Sequence, residues 1–123
     1  MATRSVVLVK KEDGKKIQIY RHWDGYPDAV LPDLQKIYPF AWALPRFEAD
    51  EFSAAIVSAW KGGEGNIRIY PEVEGYEGLP WDVEYIYEID ELGVTVFSGN
   101  DGKNEIGRFT HEEIKTGGLS CEE

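Results

Sequence analysis

A run of seven residues, Arg21 to Pro27, carries the densest set of chemically useful side chains in the sequence. It holds a cation, an imidazole, a carboxylate and two aromatic rings, together with a glycine and a proline. A strand-like segment precedes the run and a helix-like segment follows it, and loops between rigid elements are where binding residues concentrate. This combination favours a site that grips a planar, polar, anionic ligand.

Such a ligand needs an aromatic face and a cation. Trp23 could stack on a nucleobase, or it could be a core tryptophan at the edge of a sheet. Arg21, Arg68 and Arg108 lie in or beside predicted strands, and a guanidinium can hold a phosphate through two hydrogen bonds. The same arginines could instead pair with the many carboxylates of this chain. We predict Trp23 and the three arginines as ligand-binding residues, with Arg4 as a weaker candidate.

Four further residues join this predicted ligand-binding set. His22 and Asp24 stand two positions apart and could form an acid–base pair. Alternatively, Asp24 makes an Asx-turn into Gly25 while His22 packs, and we expect this or ligand binding rather than catalysis. Phe97 and Asn100 flank a predicted turn, where the amide could read a base or a ribose and the ring could cover it. An ordinary turn would also explain both residues.

The sequence offers little to a catalyst. It has no Gly-x-Ser-x-Gly, no His-Glu-x-x-His and no dinucleotide-binding glycine fingerprint. Two histidines and a single cysteine, Cys121, leave little scope for nucleophilic or zinc catalysis and exclude an intrachain disulfide. Carboxylates are numerous, so a two-carboxylate hydrolase stays open. We predict that the protein is not an enzyme and uses no metal or cofactor.

The composition is typical of one acidic, folded domain. The 123 residues are 42% hydrophobic and include four tryptophans, seven tyrosines and five phenylalanines. A formal net charge of −10 argues against nucleic-acid binding, because phosphate contacts dominate that affinity. The acidity would instead serve solubility or mimic a nucleic acid. No apolar run approaches the ~20 residues that span a bilayer, and no signal-peptide core is present. We expect a cytosolic protein without membrane contact.

The periodicity predicts an α+β fold, in which an antiparallel sheet of about six strands carries two main helices packed on one face. Asp13-Gly14 predicts a type I′ hairpin turn, and Thr110 with Glu113 has capping-box spacing ahead of a short final helix. We expect residues 1–123 to form a single ligand-binding domain that is frayed from about residue 117. The predicted strands are 3–10, 16–22, 66–70, 82–90, 93–97 and 105–109, and the predicted helices begin at Pro27 and span 47–61.

The stretch from His22 to Pro27 resembles a signature of small phage and prophage proteins, in which an Arg-Ser pair near the N-terminus leads into a strand, then this motif, then a helix. The corresponding stretch here runs from Thr3 to Leu34. Among phage proteins of this size and order, the chain most resembles the anti-defence sponges that counter Thoeris immunity. That resemblance implies an oligomeric protein that binds a cyclic ADP-ribose signal at a subunit interface without degrading it; some members also hold cyclic oligonucleotides.

We therefore expect a phage-encoded protein that acts in the cytoplasm of the infected bacterial host, forms a homo-oligomer and sequesters a cyclic ADP-ribose-type nucleotide. Two alternatives remain at this point. One is an acidic phage inhibitor that docks on a host protein, as a nucleic-acid mimic. The other is a hydrolase that acts on the same nucleotide through His22, Asp24 or a carboxylate pair.

Overall fold

The computed structural model describes residues 3–62 and 66–117, and within these ranges the chain forms six strands and three helices. The strands and helices occur in an order that confirms the α+β prediction. The strands are β1 (Ser5–Lys10), β2 (Lys16–Arg21), β3 (Ile67–Val73), β4 (Tyr85–Ile89), β5 (Gly93–Ser98) and β6 (Asn104–Thr110). The helices are α1 (Pro27–Gln35), α2 (Ala49–Lys61) and α3 (His111–Thr116), with a 3₁₀ turn at Tyr38–Phe40.

The strands form one sheet in the order β3-β2-β1-β4-β5-β6. Four of the five neighbouring pairs are antiparallel, as predicted, whereas the central pair, β1 with β4, is parallel. Parallel neighbours need a long crossover, and here the whole segment from β2 to β4 supplies it. As a consequence β3 and β6 are the two edges of the sheet.

One face of the sheet carries the helices. Val7, Ile19 and Tyr87 point toward this face and are fully buried. α2 packs against it through a stripe that includes Phe52 and Ile56. Burying each such side chain contributes roughly 1.5–3 kcal/mol, so this layer is the main source of stability.

The opposite face is covered by the connection between β3 and β4 rather than by a helix. Leu8, Tyr20 and Phe97 form a second buried cluster, against which Tyr76 and Leu79 of that connection pack. Lys16 is buried there as well, and its Nζ lies 3.4 Å from a Glu88 carboxylate oxygen. The sheet is therefore covered on both faces, and ligand contacts are left to its ends and edges.

The hairpin that Asp13-Gly14 predicts between β1 and β2 is confirmed. The predicted type I′ turn is wrong, because only Gly14 has a positive φ (91°) and Asp13 instead accepts a hydrogen bond from the Lys15 amide at 2.9 Å. The capping box of α3 is confirmed, with Thr110 accepting from the Glu113 amide and Gly117 ending the helix at a φ of 81°. The residues predicted to fray after Gly117, and Cys121 with them, lie outside the described residues. No helix in the described ranges is long and apolar enough to cross a membrane.

Candidate ligand-binding surface

Arg21 is the structural anchor of the motif that follows β2. Its side chain is 1% exposed and points to the helix-covered face, opposite Ser5 of β1. Its Nε donates to the Trp23 carbonyl at 3.0 Å, and its Nη2 donates to Asp33 of α1 at 2.8 Å. The guanidinium also lies 4.7 Å from the Trp60 ring centroid. Arg21 therefore holds the turn against both main helices and does not face a ligand in this chain.

Asp24 and Gly25 fix the backbone conformation of the turn. Asp24 adopts a φ of 52°, and the Gly25 amide donates to the Thr3 carbonyl at 2.8 Å. A Cβ on Gly25 would lie 2.7 Å from both that carbonyl oxygen and Ser5 Cβ, so the backbones approach as closely as only glycine allows. Tyr87 donates its hydroxyl hydrogen to the Gly25 carbonyl at 2.6 Å. The turn is thereby fixed with Trp23 on its outside.

Four rings continue from Trp23 across the end of the sheet, and we call Trp23, His22, Tyr20 and Tyr70 the aromatic ladder. Trp23 is 46% exposed and meets the His22 ring edge-to-face at 4.6 Å. His22 Nδ1 lies 2.9 Å from the Tyr20 hydroxyl, and Tyr20 stacks on Tyr70 at 5.2 Å with 4° between the planes. Tyr20 is buried, and His22 and Tyr70 are partly buried, so Trp23 is the ring of the ladder that is exposed for stacking on a planar ligand.

Two cations border the aromatic ladder. Arg68 lies directly opposite Tyr20 on β3, is exposed, and has no ion pair with any residue that the structure describes. Arg4 is already paired with Asp82 at 3.1 Å. Burial raises the pKa of Tyr20; the Asp82 charge raises it further, and Arg4 opposes that effect. Arg68 is therefore the cation beside the ladder whose hydrogen-bonding capacity is open to a ligand.

The remaining predicted residues do not join this surface. Arg108 lies on β6 and pairs with Glu105 at 2.9 Å, which lowers the pKa of that carboxyl. Five strand spacings separate β6 from β3, about 24 Å, so Arg108 and Arg68 of one chain cannot hold one diphosphate. Phe97 is 9% exposed and packs in the second core cluster, and Asn100 donates its amide to the Trp81 carbonyl at 2.8 Å.

Of the eight predicted residues, five lie at or beneath the ladder, whereas Arg108, Phe97 and Asn100 lie elsewhere. Trp23, His22 and Arg68 lie together, with Asp24 beside Trp23 and Arg21 beneath them. Tyr20, which is buried, and Tyr70, which is partly buried, support the ladder from below. They were not singled out in the sequence, although their alternation with Ile19 and Ile69 puts them on one face. Trp81, which is 86% exposed beside Asp82, is a further exposed ring that sequence reasoning missed.

A cavity of about 820 Å³ opens at the other end of the sheet, between the β1–β2 hairpin and the start of α2. Seven of its twelve lining residues are carboxylates, including Asp13, Glu48 and Asp50. Lys11 of the same lining hydrogen-bonds Glu72, which raises the pKa of the lysine. We call this cavity the acidic cleft. Its negative charge repels phosphate, so an anionic ligand would bind more favourably at the aromatic ladder.

The hydrogen-bond partner of His22 is Tyr20 and not Asp24. Within the described part of the chain, no hydrogen bond links His22 to Asp24, and His22 Nδ1 is engaged by Tyr20. Over residues 3–62 and 66–117, no group of three His, Cys, Asp or Glu side chains could hold a metal ion. No family model, curated protein or solved structure matches the chain.

Proposed function

We propose that this protein binds a cyclic ADP-ribose-type nucleotide at the aromatic ladder and sequesters it without cleaving it. The observation that carries the proposal is the pairing of a fixed, half-exposed ring, Trp23, with an exposed arginine, Arg68, that has no ion-pair partner among the described residues. A nucleotide presents the matching pair of groups, a planar base and phosphate oxygens. In a phage, such sequestration would remove an immune signal from the cytoplasm of the host.

Preorganisation explains how a small surface could bind usefully. Arg21, Gly25 and Tyr87 hold the turn, and the His22 ring supports the edge of Trp23, so little ordering is left for the ligand to cause. Stacking of a base on an aromatic residue contributes about 1–3 kcal/mol. A bidentate contact from Arg68 to phosphate adds a charge-assisted hydrogen-bond pair. Asp24 stands next to Trp23 and would accept a hydrogen bond from a ribose hydroxyl.

The test is a capture-and-release experiment with cyclic ADP-ribose. The protein is incubated with the nucleotide, small molecules are removed by filtration, the protein is denatured by heat, and the released compound is analysed by chromatography. Intact cyclic ADP-ribose in the protein fraction supports sequestration. A converted product would instead establish the hydrolase alternative. Nucleotide that stays free and unchanged would overturn the proposal.

Two variants and a matched control locate the site. Trp23→Ala and Arg68→Ala should each weaken binding by about tenfold or more, since each removes a contact of about 1.4 kcal/mol or above. Arg108→Ala is the control, because Arg108 is also an exposed arginine on an edge strand but lies at the far edge of the sheet. If Arg108→Ala weakens binding and Arg68→Ala does not, the aromatic ladder is the wrong surface.

The acidic cleft favours a second candidate function, the docking of a basic surface of a host protein. Seven carboxylates, two lysines and the apolar side chains of Ile17 and Phe47 are among the residues that line the cleft, a combination that suits a cationic partner with an apolar anchor. Asp50→Lys should then abolish binding to that partner, whereas Asp101→Lys, an equal charge change in a distant turn, should not. If the two substitutions weaken binding equally, the net charge of the protein and not the acidic cleft would explain the attraction.

A further inference from the structure

Trp81 is held in solvent by a fixed backbone. Its side chain is 86% exposed, the highest value among the large hydrophobic side chains of the described residues. Its carbonyl nevertheless accepts a hydrogen bond from the Asn100 side-chain amide at 2.8 Å, and the next residue, Asp82, pairs with Arg4 at 3.1 Å. A tryptophan can bury about 150–250 Å², and this one buries little of that area within the chain. Trp81 is therefore fixed in a position where another molecule can reach its ring.

The register of β1 and β2 places Arg4 beside the aromatic ladder. Ser5 pairs with Arg21, and the same antiparallel register, continued by one residue, sets Arg4 opposite His22. Ser5 and Arg21 point to the face that carries the helices. Because side chains alternate along a strand, Arg4 and His22 point to the opposite face, which is also the face of Tyr20. Arg4 is therefore a direct neighbour of the ladder.

The Tyr20 hydroxyl connects the ladder with the Arg4–Asp82 ion pair. His22 Nδ1 lies 2.9 Å from this hydroxyl. Burial raises the pKa of Tyr20, the Asp82 charge raises it further, and Arg4 opposes that effect, so both charges of the ion pair act on the hydroxyl. Five side chains therefore form one row across this end of the sheet, which we call the tryptophan row: Trp23, His22, Arg4, Asp82 and Trp81.

We propose that Trp81 is the second stacking ring of the nucleotide site and covers the face of the base that Trp23 leaves open. This inference rests on the proposed function. Trp23 follows β2 and Trp81 precedes β4, and these two strands are two strand spacings apart, about 10 Å. The centroids of two stacked rings lie about 4.5–7 Å apart, so a base between two rings needs about 9–14 Å between their centroids. One base therefore fits between the two tryptophans.

The charges along the tryptophan row orient the nucleotide. Asp82 sets a carboxylate next to Trp81, and this carboxylate repels phosphate. Arg68 lies on β3, on the other side of β2 from Arg4, and has no ion pair with any residue that the structure describes. The base would therefore lie between the tryptophans while its phosphates point toward Arg68. The substrate class is a nucleotide whose base can be stacked on both faces.

Titration calorimetry with cyclic ADP-ribose tests the second ring. Trp81→Ala should weaken binding by about tenfold or more, because one stacking contact with the base is lost. The urea midpoint should not change, because the ring is exposed. Trp42→Ala is the matched control, since Trp42 is also a partly exposed tryptophan but donates its backbone amide to Glu51 of α2 at 3.0 Å, and it should bind like the wild type. Equal losses in the two variants would overturn the proposal.

Tryptophan fluorescence separates direct contact from an indirect effect. Trp81→Phe should keep the affinity within about threefold, because phenylalanine still offers a ring, but it should lose the part of the ligand-induced quenching that Trp81 contributes. Quenching identical to that of the wild type would refute the contact. If Trp23→Ala weakens binding and Trp81→Ala does not, the second ring is refuted and the proposed function stands. If the wild type binds no cyclic ADP-ribose, the proposed function is refuted and this inference falls with it.

Discussion

Arg21→Met should destabilise the fold rather than act only on ligand binding. The guanidinium is 1% exposed and bridges three parts of the chain: Asp33 of α1, the Trp23 carbonyl and the Trp60 ring of α2. Methionine fills a similar volume without the charge, so the substitution leaves the Asp33 carboxylate, whose side chain is 14% exposed, without its buried cation. Lys36 contacts the other Asp33 oxygen at 3.3 Å from a largely exposed position and compensates only in part.

The expected loss is about 3 kcal/mol of the free energy of unfolding, the lower end of the range for removing one partner of a buried pair. A further loss of about 1 kcal/mol follows from the Trp23 carbonyl that no longer accepts a hydrogen bond from Nε. Because small domains are stable by only about 5–15 kcal/mol, Arg21→Met should lower the urea midpoint markedly without changing the slope of the transition.

A double-mutant cycle tests the assignment. Asp33→Ala alone should also destabilise the protein, since it leaves the Arg21 charge buried without its carboxylate. The double variant should lose at least about 2 kcal/mol less than the sum of the two single losses, because the pair is then removed together. Additive losses, or an Arg21→Met protein as stable as the wild type, would refute the structural role. In that case Arg21 would return as a candidate for phosphate binding.

Two further substitutions test the turn and the packing of α3. Gly25→Ala should lower the free energy of unfolding in urea by about 2 kcal/mol, because the added Cβ would lie 2.7 Å from a backbone oxygen. Gly14→Ser should lower it by less, because Gly14 has open space around it, although its φ is 91°. Equal losses in the two variants would contradict the close approach at Gly25. Burial is the main cause that lowers the pKa of His111 below its ordinary 6.5. The unfolded chain therefore binds the proton at a higher pH than the folded chain does. Stability should fall as the pH drops through about 6.5, the ordinary pKa of histidine, toward the lower pKa of the folded state. His111→Gln should flatten that dependence, and an unchanged slope would contradict it.

The elements that the sequence predicted well are those whose signals are local. The stripe containing Phe52 and Ile56 predicted α2, and Thr110 with Glu113 predicted the start of α3, because both signals act within one or two turns. The parallel pairing of β1 with β4 is different. Alternation of buried residues is the same in parallel and antiparallel strands, so the partner of Val7 could not be read from its neighbours.

Arg21 shows why the site was harder to predict than the fold. Ile17, Ile19 and Arg21 alternate along β2, so the period already placed Arg21 on the buried face. Its charge, however, predicted an exposed side chain. The Asp33 carboxylate that makes burial of the charge tolerable is twelve residues away on α1, so the neighbouring sequence does not reveal it. The same charge-based reasoning linked it with Arg68 and Arg108, which the strand order separates to opposite edges.

The aromatic ladder and the acidic cleft lie at opposite ends of the sheet, and the salt dependence of binding should distinguish the two candidate functions. β2 runs from Lys16 near the acidic cleft to Arg21 beneath Trp23, a span of about 17 Å. The Debye length at physiological ionic strength is about 8 Å, so the carboxylates of the cleft are largely screened at the aromatic ladder. Added salt should therefore weaken docking of a basic partner steeply. Added salt should change nucleotide binding less, because stacking on Trp23 is not screened. Salt weakens the contact between Arg68 and phosphate, but it also weakens the repulsion between the phosphates and a protein of net charge −10, so the two effects partly cancel.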